Sequence, residues 1–183
     1  MKSRALFSLS LMTCFAVAAG SSARAGEPVS LKALLEEMID YDHLARWPDP
    51  AFTCRQASSY DRASKSPDDK ETWFANGDQN QWIRIEKNGG RTEKVMMDAD
   101  GPGAIVRFWI TSGDKKKGKI RIYLDGGNQP IVTVPSYDFT NNDALPAGKP
   151  LLTSHPGATP NGRGGNTLFL PIPYAKHCKV TLE

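Results

Sequence analysis

The chain has 183 residues, with 23 Lys and Arg against 20 Asp and Glu, a formal net charge of +3. Lys2, Arg4 and Arg24 all fall in the first 25 residues, which hold no acid, so the remaining 20 basic residues balance the 20 acidic ones. A balanced chain carries no electrostatic footprint for nucleic acid or anionic lipid, and a neutral substrate is the natural expectation.

The chain opens on an export pattern. Lys2 and Arg4 precede an apolar stretch over residues 5–19, then Ser21-Ser22-Ala23-Arg24-Ala25. That order predicts a signal peptide over residues 1–25, cleaved after Ala25, and a periplasmic or secreted protein with no membrane attachment after cleavage. The apolar stretch is short and interrupted for a spanning helix. A rival reading, lipidation at Cys14, is fitted badly by Thr13 and Phe15.

Residues 26–50 read as a helix and linker. Ser30 is placed to cap, and Leu31, Leu34, Leu35, Met38 and Ile39 recur at helical spacing, with Pro48 and Pro50 ending any continuation. The expectation is a helix that packs its apolar face and carries no chemistry.

From Phe52 onward the pattern changes to strands. Runs are expected at residues 81–86, 91–97, 104–111, 119–125, 131–134, 167–172 and 177–182. Asn88-Gly89-Gly90 suits a hairpin turn, Asp98-Ala99-Asp100-Gly101-Pro102-Gly103 a tight turn, and Lys115-Lys116-Lys117 a solvated hairpin tip. In the 119–125 run, Ile120, Ile122 and Leu124 take one face and Lys119, Arg121 and Tyr123 the other. Many short strands, turn signals and one helix predict an all-β protein: a jelly-roll-type antiparallel β-sandwich over residues 51–183 with one N-terminal helix. The Gly-, Pro- and Asn-rich stretch 136–166 is long for a loop without a role. The chain stops inside what reads as a strand, which suggests a reading frame truncated at its C-terminus.

Cys54 and Cys178 lie beyond the signal, either bridged or as two buried thiols. His43, His155 and His177 are scattered, so no metal site and no cofactor are expected. Asp98-Ala99-Asp100-Gly101 lacks the later bidentate Glu of a calcium loop.

Two stretches combine polar and aromatic groups. In Ser58-Ser59-Tyr60-Asp61-Arg62, Arg62 offers a planar fork of donors that Asp61 could orient; the plainer reading is a strand end with a surface ion pair. Trp73-Phe74-Ala75-Asn76-Gly77-Asp78 joins an aromatic platform to an amide and a carboxylate, as a sugar site requires. Gly77 there would turn the chain and present Asn76 and Asp78 together. The plainer reading buries Trp73 and Phe74 in the core. Trp82, followed by Ile83 and Ile85, reads as core. Glu71, Asp78, Glu86, Glu93, Asp98 and Asp100 could supply carboxyl pairs, but sequence alone does not pair them.

The segments QASSYDR, WFANGD, DADGPGAIVRFWI, GKIRIYLDG and GGNTLFLPIPYAKHCKVT, in this order from about Gln56 to the end, resemble the N-terminal part of glycoside hydrolase family 172, also called domain of unknown function 2961. The resemblance implies a jelly roll, often exported by bacteria and assembled as trimers or larger rings. It implies retaining action on furanose-containing carbohydrate, with fructose or arabinose units, by two glutamates in a later region beside a second jelly roll. No catalytic residue is therefore carried onto this chain, and the fragment alone is expected to be inactive. Arg62, Trp73, Asn76 and Asp78 are the expected substrate contacts. The alternative is a non-catalytic secreted module that binds carbohydrate or forms oligomers.

Overall fold

The computed structural model describes residues 29–49, 51–111, 118–136, 144–145, 147–155 and 164–183. The expected export segment, Cys14 and the three-lysine tip lie outside these residues. Helix α1 (Leu31–Glu37) starts where Ser30 Oγ accepts from the Ala33 N–H at 3.1 Å. Its expected packing does not occur: none of its residues is buried, and Leu31, Met38 and Ile39 stay exposed. A short 3-10 turn, Tyr41–Ala45, follows, capped by Asp40.

The strand signal begins later than expected, because residues 51–83 form no strand. Strands β1 (Arg84–Asn88) and β2 (Arg91–Asp100) make a hairpin in which Asn88 pairs with Arg91. Its two turn residues, Gly89 and Gly90, have φ of 55° and 83°, the left-handed geometry that a two-residue turn needs. The remaining strands are β3 (Gly103–Ile105), β4 (Phe108–Thr111), β5 (Lys119–Leu124), β6 (Val132–Pro135), β7 (Leu152–Ser154), β8 (Gly165–Leu168), β9 (Ile172–Tyr174) and β10 (His177–Leu182).

Among the described residues all pairings are antiparallel, in three sheets ordered β1-β2-β10-β5-β6, β4-β8-β7 and β3-β9. Three of the pairings are nested. Strand β2 pairs with β10, β3 with β9 and β4 with β8. The register runs unbroken from Met97 opposite Val180, through Asp100 opposite His177, to Ile105 opposite Ile172. It slips by one residue before Phe108 meets Leu168. One long ribbon is thus folded across two layers, the construction of a jelly-roll-type sandwich. This explains why the single expected strand 104–111 is two: between Ile105 and Phe108 the chain changes sheet. The run expected at 167–172 divides for the same reason. Strand β7 lies within the Gly-, Pro- and Asn-rich stretch 136–166, where no strand is expected.

A bulge on β2 sets which side chains face out. Val180 pairs with Met97 but Thr181 with Val95, so Met96 is an extra residue. Past it the parity changes, and Asp98 and Asp100 join the outer face that carries Glu93. The core fills the space between the layers with Ile120, Ile122, Val132, Val134, Cys178 and Val180 from the five-stranded sheet. Ile105, Ile172, Leu152 and Leu168 meet them from the other two sheets. At edge strand β1 this space is uncovered. Ile85 is 61% exposed, Ile83 is exposed, and Trp82 is only half-buried, with Lys94 Nζ 5.3 Å from its ring centre. Trp82 is therefore not the core residue that its alternating neighbours suggested.

Candidate functional site

The segment 58–78 is organised by short polar side chains. Asp69 begins a single helical turn: its carboxylate accepts from the N–H groups of Glu71 and Thr72, and its carbonyl accepts from Trp73 N–H at 2.8 Å. That turn fixes where Trp73 leaves the backbone. Ser64 Oγ donates to the Trp73 carbonyl at 2.8 Å and to that of Thr72 at 3.1 Å. Asp61 completes the closure. One carboxylate oxygen accepts from Ala63 N–H at 2.9 Å, and the other accepts from Gly77 N–H at 2.6 Å. The two motifs singled out in the sequence are thereby joined into one loop.

Gly77 has a different role from the expected one. Its φ is not in the left-handed region; a Cβ there would stand 2.8 Å from Asp61 Oδ2. The residue is glycine because the carboxylate comes so close. These N–H bonds, from Ala63 first and Gly77 second, hold the Asp61 carboxyl below its ordinary range against a smaller opposing effect of burial.

Asp61 does not pair with Arg62. The Arg62 guanidinium donates to the carbonyls of Tyr60 at 3.0 Å and Ser58 at 2.8 Å, and stacks 3.8 Å from the Tyr60 ring centre. It closes its own turn. Asn76 and Asp78 are exposed, and among the described residues their side chains have no hydrogen bond. The reading that buried the loop aromatics is overturned: Phe74 is 84% exposed and Trp73 39%. The loop presents these two rings, Tyr60, an amide and a carboxylate to water.

The remaining acids form a network on the outer face of the five-stranded sheet. Glu86 stands directly opposite Glu93, the spacing at which two carboxyls approach. Glu93, however, is 0% exposed. It accepts from Tyr123 Oη at 2.8 and 2.9 Å, Thr181 Oγ1 at 2.8 Å and Arg91 Nε at 3.1 Å. Burial pushes its carboxyl up, but the bonds from Tyr123, Thr181 and Arg91 outweigh this and the net shift is downward. Glu86 is bound by Lys179 and by Arg84 at 3.2 Å. Asp98 lies between Arg84, 2.5 Å away, and His177, 2.6 Å away. Arg121 reaches Glu183 at 2.5 Å. This explains why Arg121 and Tyr123, expected on a solvent face, are buried. Glu93 is enclosed, and both its carboxylate oxygens are engaged by Tyr123, Thr181 and Arg91 within the sheet.

The thiols are unbridged, Cys54 exposed and Cys178 buried. Among the described residues, no group of three His, Cys, Asp or Glu could hold a metal ion.

Fold and loop together define a class: a mostly antiparallel β-sandwich that presents aromatic and amide side chains from one irregular loop. Residues 50–183 match the family model described as the GH172 first beta-sandwich domain. The chain belongs to glycoside hydrolase family 172, which makes carbohydrate its general substrate class. No curated protein matches it.

Sequence reasoning found the two motifs but missed their link. Asp61 with Ala63 is an Asx turn that sequence can suggest. The bond to Gly77 has no local signal, since it crosses the intervening turn.

Proposed function

We propose that this chain is the first β-sandwich of an exported glycoside hydrolase of the furanosidase type, acting on fructofuranoside or arabinofuranoside glycans with retention. In this reading residues 1–25 direct export, residues 26–50 form a helix and linker, and residues 51–183 carry the sandwich. The two glutamates of the retaining mechanism lie in a later region, and the domain works in a trimer or a larger ring. The loop 58–78 supplies substrate contacts. Trp73 offers an apolar ring for the C–H face of a sugar, and Asn76 and Asp78 bond its hydroxyls. Arg62 is the fourth contact in this reading, its guanidinium held at the Ser58 and Tyr60 carbonyls.

The supporting observation is the latch between Asp61 and Gly77 at 2.6 Å, which brings Trp73, Asn76 and Asp78 into one pre-ordered loop. The test uses the complete enzyme with aryl arabinofuranoside and aryl fructofuranoside. Trp73→Ala and Asp78→Ala should raise KM more than they lower kcat. Unchanged kinetics in both variants would remove the loop from the substrate site.

A second reading is a non-catalytic carbohydrate-binding or oligomer-forming module. The engagement of Glu86, Glu93 and Asp98 in ion pairs favours it for the chain by itself. Furanoside turnover by residues 26–183 alone would refute both the module and the assignment of catalysis to a later region.

A further inference from the structure

The outer face of the β4-β8-β7 sheet carries a second aromatic group that the loop does not use. Trp109 on β4 lies opposite Thr167 on β8, which lies opposite Thr153 on β7. At one end of this row the Arg107 guanidinium sits 6.0 Å from the Phe169 ring centre. At the other, His155 Nε2 is 2.9 Å from Thr167 Oγ1. Val106 is also exposed.

The Trp109 ring is seated. A Cβ on Gly165 would stand 2.5 Å from Trp109 Nε1 and 2.9 Å from Cε2, so the indole rests against bare backbone that no side chain separates from it. Yet Trp109 remains 53% exposed. One side of the ring is fixed by the sheet and another is open to water. Such a ring loses little freedom when something stacks on it.

The groups around it are polar. His155 is oriented by its bond to the buried Thr167, and among the described residues its Nδ1 has no partner. Arg107 is exposed and has no ion pair among the described residues. A protein partner docking on Trp109 would strip water from both groups and would have to replace those bonds. A sugar has an apolar C–H face for the indole and hydroxyls at its rim for the imidazole and guanidinium.

We propose that this sheet face is a second glycan-binding surface, with a sugar ring stacked on Trp109 and its hydroxyls bonded to His155 and Arg107. The inference rests on the reading that the chain handles carbohydrate, but not on the loop 58–78 or on catalysis. It places two exposed aromatic groups on one domain.

The test is calorimetric titration of residues 26–183 with soluble arabinan, levan and xylan oligosaccharides, with sedimentation to follow self-association. Trp109→Ala should weaken binding at least about tenfold, as expected for a central aromatic anchor. Gly165→Val, which unseats the indole without removing it, should weaken binding in the same direction. Arg107→Ala and His155→Ala change exposed residues and keep the test decisive if Trp109→Ala fails to fold; each should weaken binding several-fold. Binding unchanged in both of these variants, or wild-type chain that binds none of the three glycans, overturns the proposal. So does binding that survives Trp109→Ala but is lost with Trp73→Ala, a result that leaves the loop reading intact. A change in self-association without a change in glycan affinity marks the face as a protein interface and also overturns it.

Discussion

The Asp61 carboxylate accepts the Gly77 N–H at 2.6 Å, and this bond spans the whole helical turn that positions Trp73. A methyl group at residue 77 would displace Asp61, because its Cβ would lie 2.8 Å from Oδ2. Gly77→Ala should therefore loosen the loop and leave the sandwich intact. Hydrogen exchange should speed up across residues 61–78 and stay unchanged in β5 and β10. The melting temperature should fall by no more than about 2 °C, since exposed loops contribute little to global stability.

Glu93 should be among the most sensitive polar positions. Glu93→Gln removes the charge that Arg91 partners and replaces an acceptor oxygen by a donor facing the hydroxyls of Tyr123 and Thr181. A loss of about 2–3 kcal/mol is expected in urea unfolding. Tyr123→Phe removes one donor from the same carboxylate and should cost about 1–2 kcal/mol. The double variant should lose less than the two losses added, because both act on one network.

Acid should destabilise the domain through the same face. The Glu93 and Asp98 carboxyls are held below their ordinary values of 4.5 and 3.8. For Asp98, burial acts upward and the bonds from Arg84 and His177 act downward more strongly. A depressed folded value means that the folded state releases protons more readily than the unfolded chain. The stabilisation is therefore full above the ordinary values and is lost as pH falls through the lower folded values. Unfolding free energy should be flat with respect to these groups from neutral pH down to about 5 and decline below that. In Glu93→Gln the decline should be shallower.

The two thiols should differ sharply in reactivity. Cys178 is 0% exposed, and burial pushes its thiol up to about 12, whereas Cys54 is exposed. Native alkylation at neutral pH should label Cys54 within minutes and leave Cys178 unlabelled until denaturant is added. Mass spectrometry of tryptic peptides reads both. Equal labelling of the two would contradict the packing of β10.

Sequence made much of the sandwich legible where alternation was clean. Ile120 and Ile122 face the core as their spacing required, and Asn88-Gly89-Gly90 makes the expected hairpin. The failures share a cause. Trp82, Ile83 and Ile85 are apolar and alternate, but an edge strand extends past the opposing layer and nothing described covers it. Arg121 and Tyr123 read as surface, but neighbouring charged side chains cover one another on the outer face. Periodicity reports which side chains share a face; it does not report what lies above that face. The loop site was legible as composition in Trp73, Asn76 and Asp78. Its closure was not, because the 2.6 Å bond of Asp61 depends on three-dimensional return of the chain.

The nested ribbon also determines the order in which the domain can assemble. Strand β10 follows the other nine described strands along the chain, yet it lies between β2 and β5 in the middle of the five-stranded sheet. Until Leu182 is available, the β1-β2 and β5-β6 hairpins have no shared neighbour and each keeps a bare edge. The nucleus must then bring residues 91–111 to residues 165–182 across everything between them, a pairing of high contact order. Folding should be slow, governed by that closure.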